Sequence, residues 1–337
     1  MPSSKIKFLA GAAILALLGL AIFSTASDVD DDLMAKHRVF PSIGPGLRAL
    51  RHGFDGKYYL LSPNVGIAIF DASGKQLKVI SAPTSPAASD KPGTGAAVSF
   101  GEDLDVDSQG NLYVADRSSN QIKILSPDGQ VLRSIDCNSP LSIAALPEGE
   151  VAVTEPHSDH LVTVFGAKGR LVREFGDPEP LSERADLNRF ASIGRIAADT
   201  QGHVYYGYTY MPEPLVRMYD RFGFAKLDFQ FTNIDAFSEA RAMRREIQRQ
   251  EKRTEPPSLQ PILTAFGVDP VNGDLWMALH NTLLHFDKDA NRKSEYQIYT
   301  RDGARIDANV ILVEENRLLI GCDPLGVYEF ARPDRAP

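Results

Sequence analysis

Cysteine and tryptophan are scarce: the 337 residues hold two of the first and one of the second. Two cysteines exclude a disulfide-stapled miniprotein, and Cys137 and Cys322 stand too far apart in sequence for any Cys-x-x-Cys metal or redox spacing. Positive charge is not in excess. Lys and Arg total 36 against 44 acids, a net charge of -8, which argues against a broadly basic nucleic-acid binder. Long apolar runs are limited to one stretch, so the chain is no polytopic membrane protein. There is no G-x-S-x-G elbow, no P-loop and no G-x-G-x-x-G between a strand and a helix, which leaves an elbow serine hydrolase and a nucleotide cofactor without support. Gly at 26 and Pro at 22, beside 43% hydrophobic and 24% charged residues, fit neither collagen nor a disordered tail.

What is present begins with an address. Lys5 and Lys7 precede an uncharged run from Phe8 to Phe23, followed by Ser24, Thr25, Ala26 and Ser27. A basic start, a short apolar core and small residues describe a secretory signal spanning residues 1–26, or an uncleaved membrane anchor. Acids Asp28, Asp30, Asp31 and Asp32 follow the run, so the body is expected outside the cytoplasm, periplasmic or secreted, touching membrane only through residues 1–26 if these remain. Cleavage after Ala26 removes Lys5 and Lys7 and no acid, which takes the net charge from -8 to -10.

The body repeats one phrase: a strand, a tight turn, an aromatic strand, a polar loop, then two more strands. The clearest copy is Leu104–Ile135, LDVDSQGNLYVADRSSNQIKILSPDGQVLRSI. Other copies occupy Phe54–Ile80, Pro147–Phe175, Asp199–Phe229, Pro270–Ile298 and Glu314–Phe330. Their first turns carry Gly56, Gly110, Gly149, Gly202 and Gly273, with Asn316 in the sixth place. A period near 40–45 residues, lengthened by insertions, is that of four-stranded propeller blades. The expected fold is therefore all-β: a six-bladed β-propeller over residues 46–337. The sixth copy lacks its fourth strand. Residues 27–45, through Lys36–Ile43, are expected to supply it and zip the ring shut. Such a ring places Cys137 and Cys322 in different sectors, as separate thiols.

The segment Asp107–Ile135 resembles an NHL repeat, and the mature chain resembles bacterial six-bladed propellers of the NHL type. The match is close over residues 99–135, moderate over 147–175 and 199–229, and weak in the first and last copies. That resemblance implies fold more than function. The family includes protein- and RNA-binding modules, and related six-bladed propellers include lactonases and a peptide-amidating lyase.

Loop lengths divide the ring into two sides. The first and third turns of each copy are tight, which marks a plain side. The second-to-third strand loops and the connections between copies are longer and share the other side, where binding residues concentrate. Among the connections, Ser81–Gly95 is rich in Pro, Ser and Gly, and Asp177–Arg189 is charged. Ile234–Arg253 places Ala236, Ala240, Met243 and Ile247 on one helical stripe, with Asp235 as N-cap and Pro256 and Pro257 beyond its end. Its basic residues outnumber its acids, so it reads as a solvated helix on the ring or a docking helix.

The candidate binding residues on the loop side are Asn64, Asp116, Arg117, Glu155, Tyr208, Tyr210, His280, Asn281 and Asp323. Asp116 also suits bracing of its own loop, and Arg117 and Arg195 suit an anion. Glu155, His157 and His160 form the densest set of metal-competent groups, suited to Zn or Ca, with His280 as a further ligand. His203 and His285 alternate with core positions and read as structural. The lactonase-like propellers hold a divalent ion through Glu, Asn and Asp. Glu155, Asn64, Asn281 and Asp323 offer those types without aligning to that pattern. Two functions follow: a propeller that binds a protein or small molecule through its loop side with no cofactor, or a metal-dependent hydrolase or lyase working in the channel. Nucleic acid is not an expected partner, and the sequence leaves the oligomeric state open.

Overall fold

The computed structural model describes residues 31–40, 43, 45–62, 65–81, 98, 100–232 and 238–335. The expected signal or anchor segment, Asn64, the expected N-cap Asp235 with Ala236 of the expected helical stripe, and most of the 81–95 connection lie outside them.

Two strands precede the first blade, β1 (Asp31–Met34) and β2 (His37–Val39). Blade 1 is β3 (Ala49–His52), β4 (Tyr58–Ser62), β5 (Gly66–Phe70) and β6 (Gln76–Ser81). Blade 2 is β7 (Gly101–Val106), β8 (Leu112–Asp116), β9 (Gln121–Leu125) and β10 (Val131–Asp136). Blade 3 is β11 (Ser142–Ala145), β12 (Val151–Thr154), β13 (Val162–Phe165) and β14 (Leu171–Phe175). Blade 4 is β15 (Gly194–Ala198), β16 (Val204–Tyr208), β17 (Leu215–Tyr219) and β18 (Ala225–Gln230). Blade 5 is β19 (Ala265–Val268), β20 (Leu275–Leu279), β21 (Thr282–Phe286) and β22 (Arg292–Tyr299). Blade 6 is β23 (Val310–Val313), β24 (Arg317–Cys322) and β25 (Gly326–Ala331).

The sixth blade takes its fourth strand from the start of the chain: β2 pairs antiparallel with β25, Arg38 opposite Tyr328 and Val39 opposite Val327. The closure uses one more strand than the expected zip. β1 adds a fifth strand outside β22 on blade 5, so the leading segment crosses two neighbouring blades.

The tight turns repeat one device. Asp107 Oδ1 accepts the amides of Gln109 at 2.9 Å and Asn111 at 2.8 Å, while Gly110, at φ +81°, donates its own amide to Asp107 O at 3.0 Å. The aspartate fixes the turn and only glycine takes that φ without strain. Asp71, Asp199 and Asp220 hold their turns in the same way.

Six apolar clusters fill the ring, one between each pair of neighbours. Leu61 and Ile67 of blade 1 meet Leu104 and Val114 of blade 2, and Tyr113 and Ile122 of blade 2 meet Ile143 and Val153 of blade 3. The series ends where Leu319 and Val327 of blade 6 meet Leu50 and Phe70 of blade 1. Each large side chain buried this way contributes about 1.5–3 kcal/mol, and no blade achieves that burial alone. Between blades 4 and 5 the inner strands stand further apart. There Phe266 reaches across to blade 4, and a Cβ on Gly207 would come within 2.7 Å of its ring.

Two helices stand in the connections. The first, α1 (Ala185–Ala191), buries Leu187 and Ala191, one turn apart, in a segment the sequence reads only as charged loop. The second, α2 (Ser238–Glu251), buries Ala240, Met243 and Ile247, three residues of the expected stripe, and adds Gln250. Met243 and Ile247 pack with Leu259 and Leu263 over blades 4 and 5.

Candidate functional site

The first strand of every blade lines the hub, so its side chains, more than the loops, decide the channel's chemistry. A cavity of about 170 Å³ runs there, walled by blades 1, 2, 4, 5 and 6. Its polar groups are Arg48, Arg51, Asp103, Asp105, Arg195 and Asn309, set among Leu50, Ile196, Phe266 and the strand Val310–Val313.

Arg51 is the middle of this wall. Its Nη2 donates to Asp103 Oδ1 at 3.1 Å, its Nε lies 3.3 Å from Asp105 Oδ1, and its Nη1 donates to Leu50 O at 3.1 Å. Burial works against the guanidinium charge, but the two carboxylates overcome it and raise the Arg51 pKa. Burial pushes the Asp105 carboxyl up, against the pull of Arg51 and the amide of Ala145, which donates at 2.8 Å. Asp103, only 3% exposed, also accepts Leu104 N at 2.8 Å, Ser142 Oγ at 2.6 Å and Ile143 N at 3.2 Å. Ser142 Oγ in turn accepts Ile196 N at 3.0 Å.

The mouth on the connection side is cationic, with Arg48, Arg117 and Arg195. Arg117 Nη1 donates to Glu102 Oε1 at 3.2 Å, and Arg48 Nε lies 4.0 Å from Glu102 Oε2. Among the described residues, Arg195 Nη1 donates only to a carbonyl, Arg48 O, at 3.4 Å. Asn309 donates Nδ2 to Leu47 O at 2.9 Å, which fixes its amide so that Oδ1 faces the other way. Arg48 Nε and Asn309 Oδ1 are buried and find no hydrogen-bond partner among the described residues.

Most residues selected from the loops brace those loops. Asp116 is fully buried, accepts Phe100 N at 2.9 Å and pairs with Lys123 at 2.8 Å. Glu155 accepts Asn138 N at 3.0 Å and a hydrogen bond from the Cys137 thiol. Tyr208 is buried, with its hydroxyl between Arg217 at 3.2 Å and Glu179 at 3.4 Å, and burial pushes its phenol up. Tyr210 packs on Phe190, ring centroids 5.1 Å apart. His280 Nε2 meets Pro261 O at 3.2 Å, and Asn281 donates to Gln297 Oε1 at 2.7 Å. Asp323 Oδ1 accepts Gly46 N at 2.9 Å. Arg195 lines the channel cavity, whereas Arg117 pairs with Glu102.

The metal-competent set is dispersed. Glu155 is committed as above, His157 is exposed, and His160 Nδ1 faces Asp177 at 3.6 Å. Among the described residues, Asp274, His285 and Asp334 are the three such groups whose ligand atoms gather within 4.8 Å. They lie on the tight-turn side and are already engaged. His285 stacks on Trp276 at 4.2 Å and meets Asp274 Oδ2 at 3.2 Å, while Asp334 Oδ1 accepts from Arg332 at 3.1 Å. His203 likewise meets Asp199 Oδ2 at 2.7 Å. Cys137 and Cys322 are separate, buried, free thiols.

Two surface features complete the picture. A cavity of about 650 Å³ lies between α2 and the following segment, bordered by Met243, Gln250, Pro256, Ile262 and His280. The exposed face of α2 carries Arg241 and Arg245. The tight-turn side is less plain than the sequence implies: Phe54, Phe222, Phe224 and Val271 are exposed there.

The residues missed from the sequence, Arg48, Arg51, Asp103, Asp105 and Asn309, carry a legible signal. Charges sit at alternate positions of a repeat's first strand, as in Gly101–Val106 (GEDLDV), and that strand faces the hub in any closed ring.

No protein-family model matches the chain, and no curated protein matches it by sequence. Solved propeller structures do resemble it. A streptogramin B lyase aligns with a TM-score of 0.56 at 15% identity, covering 88% of this chain and 86% of its own. A catalytically inactive virginiamycin B lyase from Staphylococcus aureus, with quinupristin, gives 0.55 at 12% identity over 87% and 82%. The WD40 repeats of RRP9 give 0.56 at 14% identity over 89% and 99%. At such identities the likeness is one of fold.

Proposed function

We propose that the chain is an exported propeller, with repeats of the NHL kind, that binds a ligand or partner protein through its connection side. It works in the periplasm or outside the cell, or is held at the inner membrane by residues 1–26. The observation that carries this reading is the coincidence on one side of the ring of both helices, the widest connections and the arginine-bearing mouth formed by Arg48, Arg117 and Arg195. A rigid ring holding variable loops over a polar opening is a binding architecture.

The second reading, a metal-dependent hydrolase or lyase in the channel, has less to build on. No histidine is among the residues lining the channel cavity, and its two carboxylates are both spent on Arg51.

The test is affinity capture by the full chain from its native envelope after cross-linking, comparing two sets of substitutions. Charge reversal on α2 (R241E with R245E) is expected to reduce capture by at least about tenfold, the effect of about 1.4 kcal/mol. F222D with F224D on the opposite side is expected to leave it unchanged. The reverse pattern overturns the reading. A stoichiometric metal in the purified chain, with chelator-sensitive turnover of a lactone or ester, replaces it with the hydrolase.

A further inference from the structure

We propose that the tight-turn side of the ring docks on an anionic phospholipid surface, through the turns that lead into the outer strands of blades 1–4. The inference goes beyond the binding reading and leaves the connection side facing away from the bilayer, open to its partner.

The first observation is a repeated placement. The third turn and the start of the outer strand align over residues 71–78 (DASGKQLK), 126–133 (SPDGQVLR), 166–173 (GAKGRLVR) and 220–227 (DRFGFAKL). In each, the register against the neighbouring strand slips by one, and the extra residue is Leu77, Leu132, Val172 or Lys226. The strands concerned, β6, β10, β14 and β18, are the outer edges of their blades among the described residues. Bulged edges ordinarily carry charge, which keeps other chains away. Here Leu77, Leu132 and Val172 stand 48%, 57% and 51% exposed, and Phe222 and Phe224 at the turn of blade 4 are 62% and 69% exposed. Single exposed apolar side chains are ordinary. Their return at one place of the repeat, on one side of four neighbouring blades, makes an apolar rim.

Charge selects the occupant. The same four segments hold eight basic side chains and three acidic ones, in a chain of net charge -8. Two of those acids, Asp71 and Asp220, accept amides of their own turns. Arg173 is paired with Glu150, while Lys75, Lys168, Arg170 and Arg221 are exposed. The first turns, nearer the hub, are acidic, but their carboxylates are engaged: Asp107 and Asp199 with turn amides, Asp269 with Arg332, Glu314 with Arg317. Cations interleaved with apolar tips suit a layer of anionic headgroups over hydrocarbon. A second copy meeting rim to rim would set like charges against each other.

The start of the chain agrees. Ala35 N donates to the carbonyl of Tyr299, the last residue of β22, at 2.8 Å. β1 pairs with β22, so it runs back from there towards Arg292, which follows the blade's third turn. The uncharged run Phe8–Phe23 is thus joined to blade 5 on the tight-turn half, with seven residues between Phe23 and Asp31. Such a tether reaches at most about 30 Å. With residues 1–26 retained as an anchor, it brings this side towards the bilayer.

The test places one tryptophan on either side of the full chain, F222W or F224W at the rim and L325W in the loop between β24 and β25. Trp276 is fully buried and adds a constant background. Each variant is incorporated into vesicles of phosphatidylcholine and phosphatidylglycerol with brominated acyl chains. Both rim tryptophans should be quenched at least about twofold, as for side chains buried at the headgroup boundary, and L325W should be unchanged. K168E with R170E, or vesicles of phosphatidylcholine alone, should reduce the quenching of F222W. Thermal melts of each variant show that the ring is intact. Quenching of L325W equal to or above that of F222W and F224W overturns the proposal. So does quenching that ignores phosphatidylglycerol, or a dimer in solution that F222D with F224D dissolves, which would make the rim a contact between copies. If the rim is not quenched while R241E with R245E still reduces partner capture, the membrane face alone has failed and the connection-side reading stands.

Discussion

Ser142 donates its hydroxyl proton to Asp103 at 2.6 Å and accepts the amide of Ile196 at 3.0 Å. With Arg51 on the far side of Asp103, this single relay passes through the inner strands of blades 1, 2, 3 and 4. The hub is therefore held by a buried polar chain as well as by apolar packing.

Asp103 accepts four hydrogen bonds with two oxygens. D103N keeps the shape, but its amide group would face donors on one side and leaves Arg51 with Asp105 alone. We expect a loss of about 3 kcal/mol, measured by urea unfolding, as for a buried pair deprived of one partner. S142A, which removes only the relay hydroxyl, should cost about 2 kcal/mol, because an amide and one carboxylate contact are left unanswered.

A pH dependence follows from Glu314, which ties blade 6 to blade 1. Burial works to raise its pKa, but His52 Nδ1 at 2.8 Å, Tyr58 OH at 2.7 Å and Arg317 hold it at about 2. Because the folded value lies below the ordinary glutamate value, its stabilisation is fully present above about pH 4.5 and is lost as pH falls towards 2. Wild type should exceed E314Q by on the order of 3 kcal/mol at neutral pH, with the gap closing between about pH 5 and 2. A gap independent of pH in acid unfolding would show that Glu314 acts only through shape.

Removal of the chain up to Val39 takes away β1 and β2 and leaves β25 as an open edge carrying Val327, Tyr328 and Phe330. An unpaired apolar edge is a template for association. The truncated chain should melt lower and form oligomers by light scattering. A monomer with unchanged melting would mean that the zip adds nothing.

Both thiols should be inert in the folded chain. Burial, with the Glu155 carboxylate beside it, pushes the Cys137 pKa up, and burial raises that of Cys322. A disulfide-exchange reagent at neutral pH should leave both untouched natively and titrate two thiols in denaturant.

The ring was legible because its turns are local chemistry. Asp107 to Gly110 fixes a turn within four residues, and every copy repeats some form of it. The zip was legible because the last copy visibly lacked a strand. β1 was not: Asp31–Met34 (DDLM) has no alternation, and its pairing depends on the long outer strand β22 of another blade. The helix α2 announced itself through Ala240, Met243 and Ile247, whereas α1 is too short to show a period.

The site was harder for a physical reason. Loop residues such as Asp116, Asn281 and Asp323 look available in sequence because their partners are backbone amides or neighbours from a separate turn. Arg51 and Asp103 look like ordinary strand charges until neighbouring blades pack and bring them together on adjoining walls of one channel. Only the three-dimensional pairing tells a spent carboxylate from a free one.

The most direct test of a connection-side function is hydrogen exchange on the full chain, alone and with the captured partner or ligand bound. Protection should appear in the connections, residues 136–142, 175–194 and 238–265, and around Arg48 and Arg195. Protection confined to the tight turns around Phe54, Phe222 and Val271 would contradict the account.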